Sequence, residues 1–355
     1  MKALSFFRIV VVVGGMLALV DTAFAGGDVS CSTRDFRKSL GPVRDQKHSG
    51  FCWAYSASDL ISQKVGRVVS ATDLATTFLL SPADRLRTSA YPQVQSYLRN
   101  NRRFFTSLKA ARDHEESWIG KGKARRAMRM IDDEDHGFTS LGGDEGAAIL
   151  LANLKGYCAE SRFPSDPDDV IEMMKTAKHN VKLKKNLSKE CLKETSNDST
   201  IGSLNAIGGA IVKAYENEVD KRCKHTALRP PVIPETLSFI EEIESGHYSR
   251  RHKKKLREKL FTAADDVVER GLAVSVTLDM KTLEHDSEWG DDYHVVTIAG
   301  RKKIGGQCHY LLRNSYGNDA CKMYKKRLRA KCEKGDLWIA QDDLRPAINS
   351  ITYIK

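Results

Sequence analysis

Two side chains in this chain have the types of a nucleophile and its proton acceptor: a thiol at a helix start and an imidazole at a strand start. The thiol is Cys52, within GPVRDQKHSGFCWAYSAS, Gly41 to Ser58. The residues behind it (Trp53, Ala54, Tyr55, Ser56, Ala57, Leu60, Ile61) recur with the period of a helix that has one apolar face. A thiol on the first turn of such a helix feels the positive end of the dipole, which favours thiolate. Gln46, upstream of it, carries an amide that can reach back and share an oxyanion with the Cys52 backbone N–H. A thiolate needs a proton acceptor nearby, and the acceptor needs orienting. Among ten histidines, His294 opens the apolar, β-branched run Val295-Val296-Thr297-Ile298, whose end can face a cleft. Asn314 follows 20 residues later in LLRNSYG. His285 and His309 compete for the role, but neither combines a strand start with that Asn spacing.

These residues resemble the papain-like cysteine peptidase family. That family reads approximately GPVKDQGxCGSCWAFSA at the nucleophile, then HAVxxVGY and WLIKNSWG. The first motif is matched at Pro42, Val43, Asp45, Gln46, Gly50, Cys52, Trp53, Ala54, Ser56 and Ala57. The resemblance implies Cys52 as nucleophile, His294 as general base and acid, Asn314 as the group holding its ring, and Gln46 in the oxyanion hole. It implies hydrolysis of peptide bonds by a Cys52 thiolate and His294 imidazolium pair through a thioester, as an endopeptidase, with no cofactor and no metal. TSLGGDEGAA, Thr139 to Ala148, resembles the family's GCxGGxxxxA. By that likeness Gly142 and Gly143 line the cleft, where the lack of a Cβ lets a substrate strand approach the backbone. In the family a Cys three residues before the nucleophile bonds the Cys preceding the paired glycines. Here those positions are Ser49 and Ser140, so the resemblance implies that these two serines are neighbours.

The departures bear on rate and specificity. Tyr316 stands where the family has a Trp shielding the His–Asn pair, and Lys47 and Phe51 replace small residues, which would crowd the cleft. The implied fold is α+β and two-lobed: a helical lobe and an antiparallel β lobe with the active-site cleft between them. The pattern along the chain suits it. Helical stretches come early, with Asp144 to Leu154 among them, and Val94 to Phe105 and Ala124 to Met130 are patterned as helices. Glu235 to Glu244 is helix-like after a proline break, and Leu256 to Arg270 is a helix closed by Gly271. Strands follow at Leu272 to Leu278, Tyr293 to Ile298, Cys308 to Asn314 and Asp336 to Ala340.

The domain reading is a signal peptide at 1–25 and a peptidase domain at 26–355. Insertions interrupt that domain at about 84–138 and 165–254. Lys2 and Arg8, a short apolar run and Ala23-Phe24-Ala25 define the signal, so the protein is expected secreted or periplasmic. Export permits disulfides. Of eight Cys, seven remain besides Cys52, so at least one more is unpaired, and Cys321 and Cys332, bracketing a basic run, are candidates for a bond. The net charge of +11 is clumped at Arg102-Arg103, Lys121 to Arg129, Arg250 to Lys259 and Lys322 to Lys331. Such runs suit an anionic envelope surface, or are solvated faces; they lack the aromatic interleaving of single-strand nucleic-acid binders. The partner expected is a protein or peptide substrate, with no specific nucleic acid and no transmembrane segment after signal removal. Two other functions remain open: a non-catalytic binding protein of the same fold, and a Cys–His hydrolase or transferase acting on cell-wall peptides.

Overall fold

The computed structural model describes residues 31–80, 143–185, 198–240, 243, 247–283, 293–329 and 331–355. The signal segment, the insertion read at 84–138, His285, Ser140, Gly142 and Cys191 lie outside the described residues. Two short elements open the chain, β1 (Arg34–Asp35) and α1 (Arg37–Leu40). The helices that follow are α2 (Cys52–Val65), α3 (Ala71–Leu80), α4 (Glu145–Lys155), α5 (Pro167–Lys185) and α6 (Asp198–Arg222). After β2 (Pro234–Ser238) comes α7 (Arg250–Glu269). Then the chain turns to strands: β3 (Val274–Asp279), β4 (Tyr293–Ile304), β5 (Gln307–Arg313), β6 (Cys332–Glu333), β7 (Asp336–Ala340) and β8 (Ile348–Ile354). The protein is thus mixed α+β.

Helix α2 is wrapped on all sides. Every residue from Trp53 to Ser62 is buried, and Gly66 ends the helix in the left-handed region at φ 66°. Small residues (Ala54, Ala57, Ser58) let neighbours come close, and α3, α4 and β4 pack around it. Helix α4 starts at Asp144, whose side chain accepts from the Ala147 N–H, an N-cap that satisfies an otherwise orphaned donor. These helices share one apolar core with α5 and α6, and Cys158–Cys223 ties the end of α6 into it with a Cα separation of 5.8 Å.

The sheet is antiparallel at every described pairing, in the order β2-β8-β3-β4-β5-β7-β6, with β1 added to β4. Strand β3 is covered on both faces: Val274, Val276 and Leu278 enter the core on one side, and the alternating Ser275 and Thr277 are buried on the other. On one face, α7 lays down Leu256, Leu260, Ala264, Val267 and Val268 at helical spacing, and these join a second core with Val274, Val276 and Leu278. The helix-like reading of Glu235 to Glu244 is corrected at its start: residues 234–238 form β2 instead, zipped to β8 from Pro234↔Ile354 to Ser238↔Ser350. Pro234 sits at the first position of this edge strand, where a missing N–H is tolerated. Cys31–Cys308 pins the start of the described chain to β5, and Cys321–Cys332 closes the loop before β7 with Cα atoms 5.4 Å apart.

Candidate active site

Cys52 is the first residue of α2, is partly exposed, and is the one cysteine among the described residues outside a disulfide. Trp53 behind it is buried, edge-on to Phe51 and tilted against Phe78. Phe51 is fully buried in this aromatic group, so it builds the core beside Cys52 rather than crowding a cleft. Lys47 is also turned elsewhere: its amine bonds Asp166 (2.7 Å) and Asp168 (2.5 Å) at the start of α5. Gly143 stands against the Trp53 indole, where a Cβ would fall 2.2 Å from the ring, so only glycine fits there.

His294 comes from the second residue of β4. The register pairs it with Leu278 of β3, and three residues on, Thr297 shares a 2.8 Å hydrogen bond with Ser56 of α2. That bond fixes the strand bearing the imidazole against the helix bearing the thiol, one helical turn from Cys52. Asn314 follows β5 directly and is fully buried. His294 Nε2–H donates to Asn314 Oδ1 at 2.8 Å. The Tyr316 N–H, which can only donate, fixes which way the amide points by bonding Oδ1 (3.3 Å), and Nδ2 then donates to the Tyr324 hydroxyl (3.0 Å). With Oδ1 the acceptor, the neutral imidazole carries its proton on Nε2 and Nδ1 is the basic atom.

Tyr316 covers the ring, stacked at 4.4 Å between centroids and 12° from parallel. Its hydroxyl lies 3.2 Å from Nδ1, but with the rings so nearly parallel it approaches the face of the imidazole, not the in-plane lone pair. Burial pushes His294 down to about 4, against the opposing pull of the Asn314 hydrogen bond.

The two motif loops are stitched together. Gln46 N–H donates to Ser315 O (2.6 Å), Gly317 N–H to Arg44 O (3.2 Å), and the Ser315 hydroxyl to Gln46 Oε1 (2.5 Å). Gln46 Nε2 donates to Ser49 O (2.5 Å), and the Ser49 hydroxyl donates to Gln46 O (2.7 Å). Gly317 holds φ 63° with the Asp45 side chain 3.0 Å from where its Cβ would be, so the turn of the NSYG segment also requires glycine. Beneath the loops lies a buried charge cluster. Asp59 of α2 accepts from Arg44 (2.6 Å) and Arg313 (3.1 Å), and Arg44 also bonds Ser58 and Val69 O, at 2.7 Å each. Cys52, Asn314 and this cluster border a cavity of about 10 Å³, near the lower limit for one water.

His309 does not belong to this group; it lies on β5 with Nδ1 at 3.0 Å from Gln307 O. Asp73, Cys158 and His225 also converge, but Cys158 is in a disulfide and has no thiolate to offer a metal. Asp73 there bonds the His225 ring (3.0 Å) and the Cys158 N–H (2.9 Å), a structural arrangement. Sequence reasoning passed over Tyr324, Ser315 and Asp59. Tyr324 sits inside a basic run with no periodicity, and Asp59 looks like any polar position on a helix.

No protein-family model matches the chain, and no curated protein matches it in sequence. Among solved structures it is similar to digestive procathepsin L 3 of the Tenebrio molitor larval midgut, at 13% identity and a TM-score of 0.40, over 93% of this chain and 71% of that one. It is similar also to digestive procathepsin L2 proteinase from the same tissue, at 13% identity and a TM-score of 0.38, over 91% and 67% of the two chains. Similarity at that level leaves the chemistry to the residues themselves.

Proposed function

We propose that the protein is a papain-like cysteine peptidase, with Cys52 as nucleophile, His294 as general base and acid, and Asn314 as the orienting group. The observation that carries this reading is the buried His294–Asn314 hydrogen bond of 2.8 Å, with the amide direction fixed by the Tyr316 N–H, on the strand packed against the Cys52 helix. Its main chemical consequence is a basic Nδ1 at neutral pH.

Burial of His294 disfavours the charged ring at rest, so the thiolate–imidazolium form arises as attack begins. Sulfur attacks the peptide carbonyl as Nδ1 takes the thiol proton. The oxyanion is held by the Cys52 N–H and by the second amide hydrogen of Gln46, whose first is spent on Ser49 O. His294 then gives the proton to the leaving amine, and water, deprotonated by the same ring, cleaves the thioester. Gly143, beside Trp53, lines the path of the substrate strand. The two separate cores, one helical and one around the sheet, support two lobes with the cleft between them.

Three disulfides among the described residues favour an extracellular or exported setting. No described helix is long and apolar enough to cross a membrane. The first half of α7 supports contact with an anionic envelope polymer. Arg250, Arg251, Lys254, Lys255 and Lys259 are exposed there, and its first turn has no acidic residue. The basic run 322–331 is different, since Lys322 pairs with Asp319, Arg327 with Asp343, and Lys325 with backbone carbonyls.

The test is hydrolysis of casein and of a peptide library by wild type and Cys52→Ala. Cleavage by the wild type alone is expected. Equal cleavage by both, or by neither, overturns the proposal, and turnover of cell-wall fragments only would assign the same Cys–His pair to that substrate class.

A further inference from the structure

We infer that Tyr324 is a positioning residue for the catalytic pair, and that the Cys321–Cys332 disulfide clamps it in place. The inference rests on the Cys52–His294–Asn314 reading above. Asn314 is fully buried, and its amide can face His294 with either its oxygen or its nitrogen. Only the oxygen-forward orientation accepts the Nε2 proton and leaves Nδ1 as the base. The Tyr316 N–H selects it by donating to Oδ1, and the Tyr324 hydroxyl, 3.0 Å from Nδ2, accepts the amide hydrogen that this orientation turns away from the ring. Without that oxygen, Nδ2 becomes a buried donor with no acceptor, and turning the amide over would set N–H against N–H at His294.

Tyr324 is itself held tightly. It is fully buried and lies within the loop that the disulfide closes between Cys321 and Cys332. Next to it, the Lys325 N–H donates to Leu283 O (2.9 Å), and the Lys325 amine donates to Lys281 O (2.9 Å) and Thr282 O (3.0 Å) in the turn after β3. Leu328, almost fully buried, anchors the far side of the loop. The covalent staple, the docked loop, the phenol, the amide and the imidazole therefore form one continuous chain of contacts. The loop acts on the ring without touching substrate.

The experiment reads Cys52 directly, by its rate of alkylation with iodoacetamide from pH 4 to 9. It compares wild type, His294→Ala, Tyr324→Phe and Cys321→Ser/Cys332→Ser, each checked for folding by thermal melting. Wild type should show His-dependent reactivity below the ordinary thiol range, which His294→Ala lacks. Tyr324→Phe keeps the ring and its packing and loses only the oxygen, so a purely structural role leaves the profile unchanged. We expect instead a fall of about tenfold at pH 6 with folding intact. The double serine variant should fall in the same direction, and combining it with Tyr324→Phe should add little, since both act through one contact. A Tyr324→Phe profile equal to wild type overturns the role of the phenol, and a fully additive loss overturns that of the clamp. A wild type without His-dependent reactivity overturns the catalytic reading, and this inference with it.

Discussion

His294 is the residue on which the proposed chemistry and the pH response of the fold both turn. Its pKa is about 6.5 unfolded and is pushed down to about 4 by burial in the fold. Between those values the unfolded chain binds the extra proton, so His294 contributes stability that is present above pH 6.5 and is lost as pH falls toward 4. Two and a half pKa units correspond to about 3 kcal/mol. Asp336 works the other way, since burial raises it to about 6 and favours the folded state as pH falls. A comparison therefore isolates the histidine: urea midpoints at pH 7 and pH 4.5 should drop less in His294→Gln than in wild type. An equal drop would mean that the ring is not held neutral. At this scale the candidate site was legible where residue type and order carry it, as with the hydrogen-bonded pair His294 and Asn314. It was not legible at Tyr324, where a hydroxyl meets an amide ten residues back in the chain and leaves no periodic trace.

Elements hold these residues by a few cross-links more than by helix or strand propensity. Asp59 joins the nucleophile helix to Arg44 in the Gln46 loop and to Arg313 at the end of β5, immediately before Asn314. Removing the carboxylate leaves the buried Arg313 without that partner and Arg44 with only Glu160, at 3.4 Å, as a counter-ion. Asp59→Ala should therefore destabilise by about 3–5 kcal/mol, visible as a large drop in denaturant midpoint. A loss below 1 kcal/mol would show that Arg44 and Arg313 are satisfied by the carbonyls and hydroxyls around them. Most elements could be read from the sequence: β7 is bounded as expected, and α4 is shifted by one residue. Strand β4 runs further than expected because Lys302, Lys303 and Ile304 continue the hairpin with β5 beyond its apolar part. The error at β2 has a different source. The helical period of PETLSFIEE is local, whereas the β-branched partner that makes residues 234–238 a strand, β8, lies at the far C-terminal end.

At the scale of the whole molecule, the basic surface of α7 is set by which side of the helix is buried. Its apolar side enters the sheet core, and Arg250, Arg251, Lys254, Lys255 and Lys259 are exposed. Lys253/Lys254/Lys255→Glu should elute from a heparin column at lower salt than wild type while hydrolysing a small peptide at the same rate. Unchanged elution would leave the run as a solvated face. The resemblance extended to the order of the helical and β segments, because the motif residues fall at element starts: Cys52 at a helix, His294 near the head of a strand, Asn314 just past one. It did not extend to α5 and α6, which occupy the stretch for which no counterpart could be placed. The central claim is acyl transfer through Cys52, and the most direct measurement is intact-mass spectrometry of the protein quenched with acid during turnover of a peptide ester. The account predicts a transient adduct equal to the acyl group, mapped by digestion to Cys52, absent in Cys52→Ala and accumulating far more slowly in His294→Ala. An adduct on any other residue, or turnover with undiminished rate in Cys52→Ala, would contradict it.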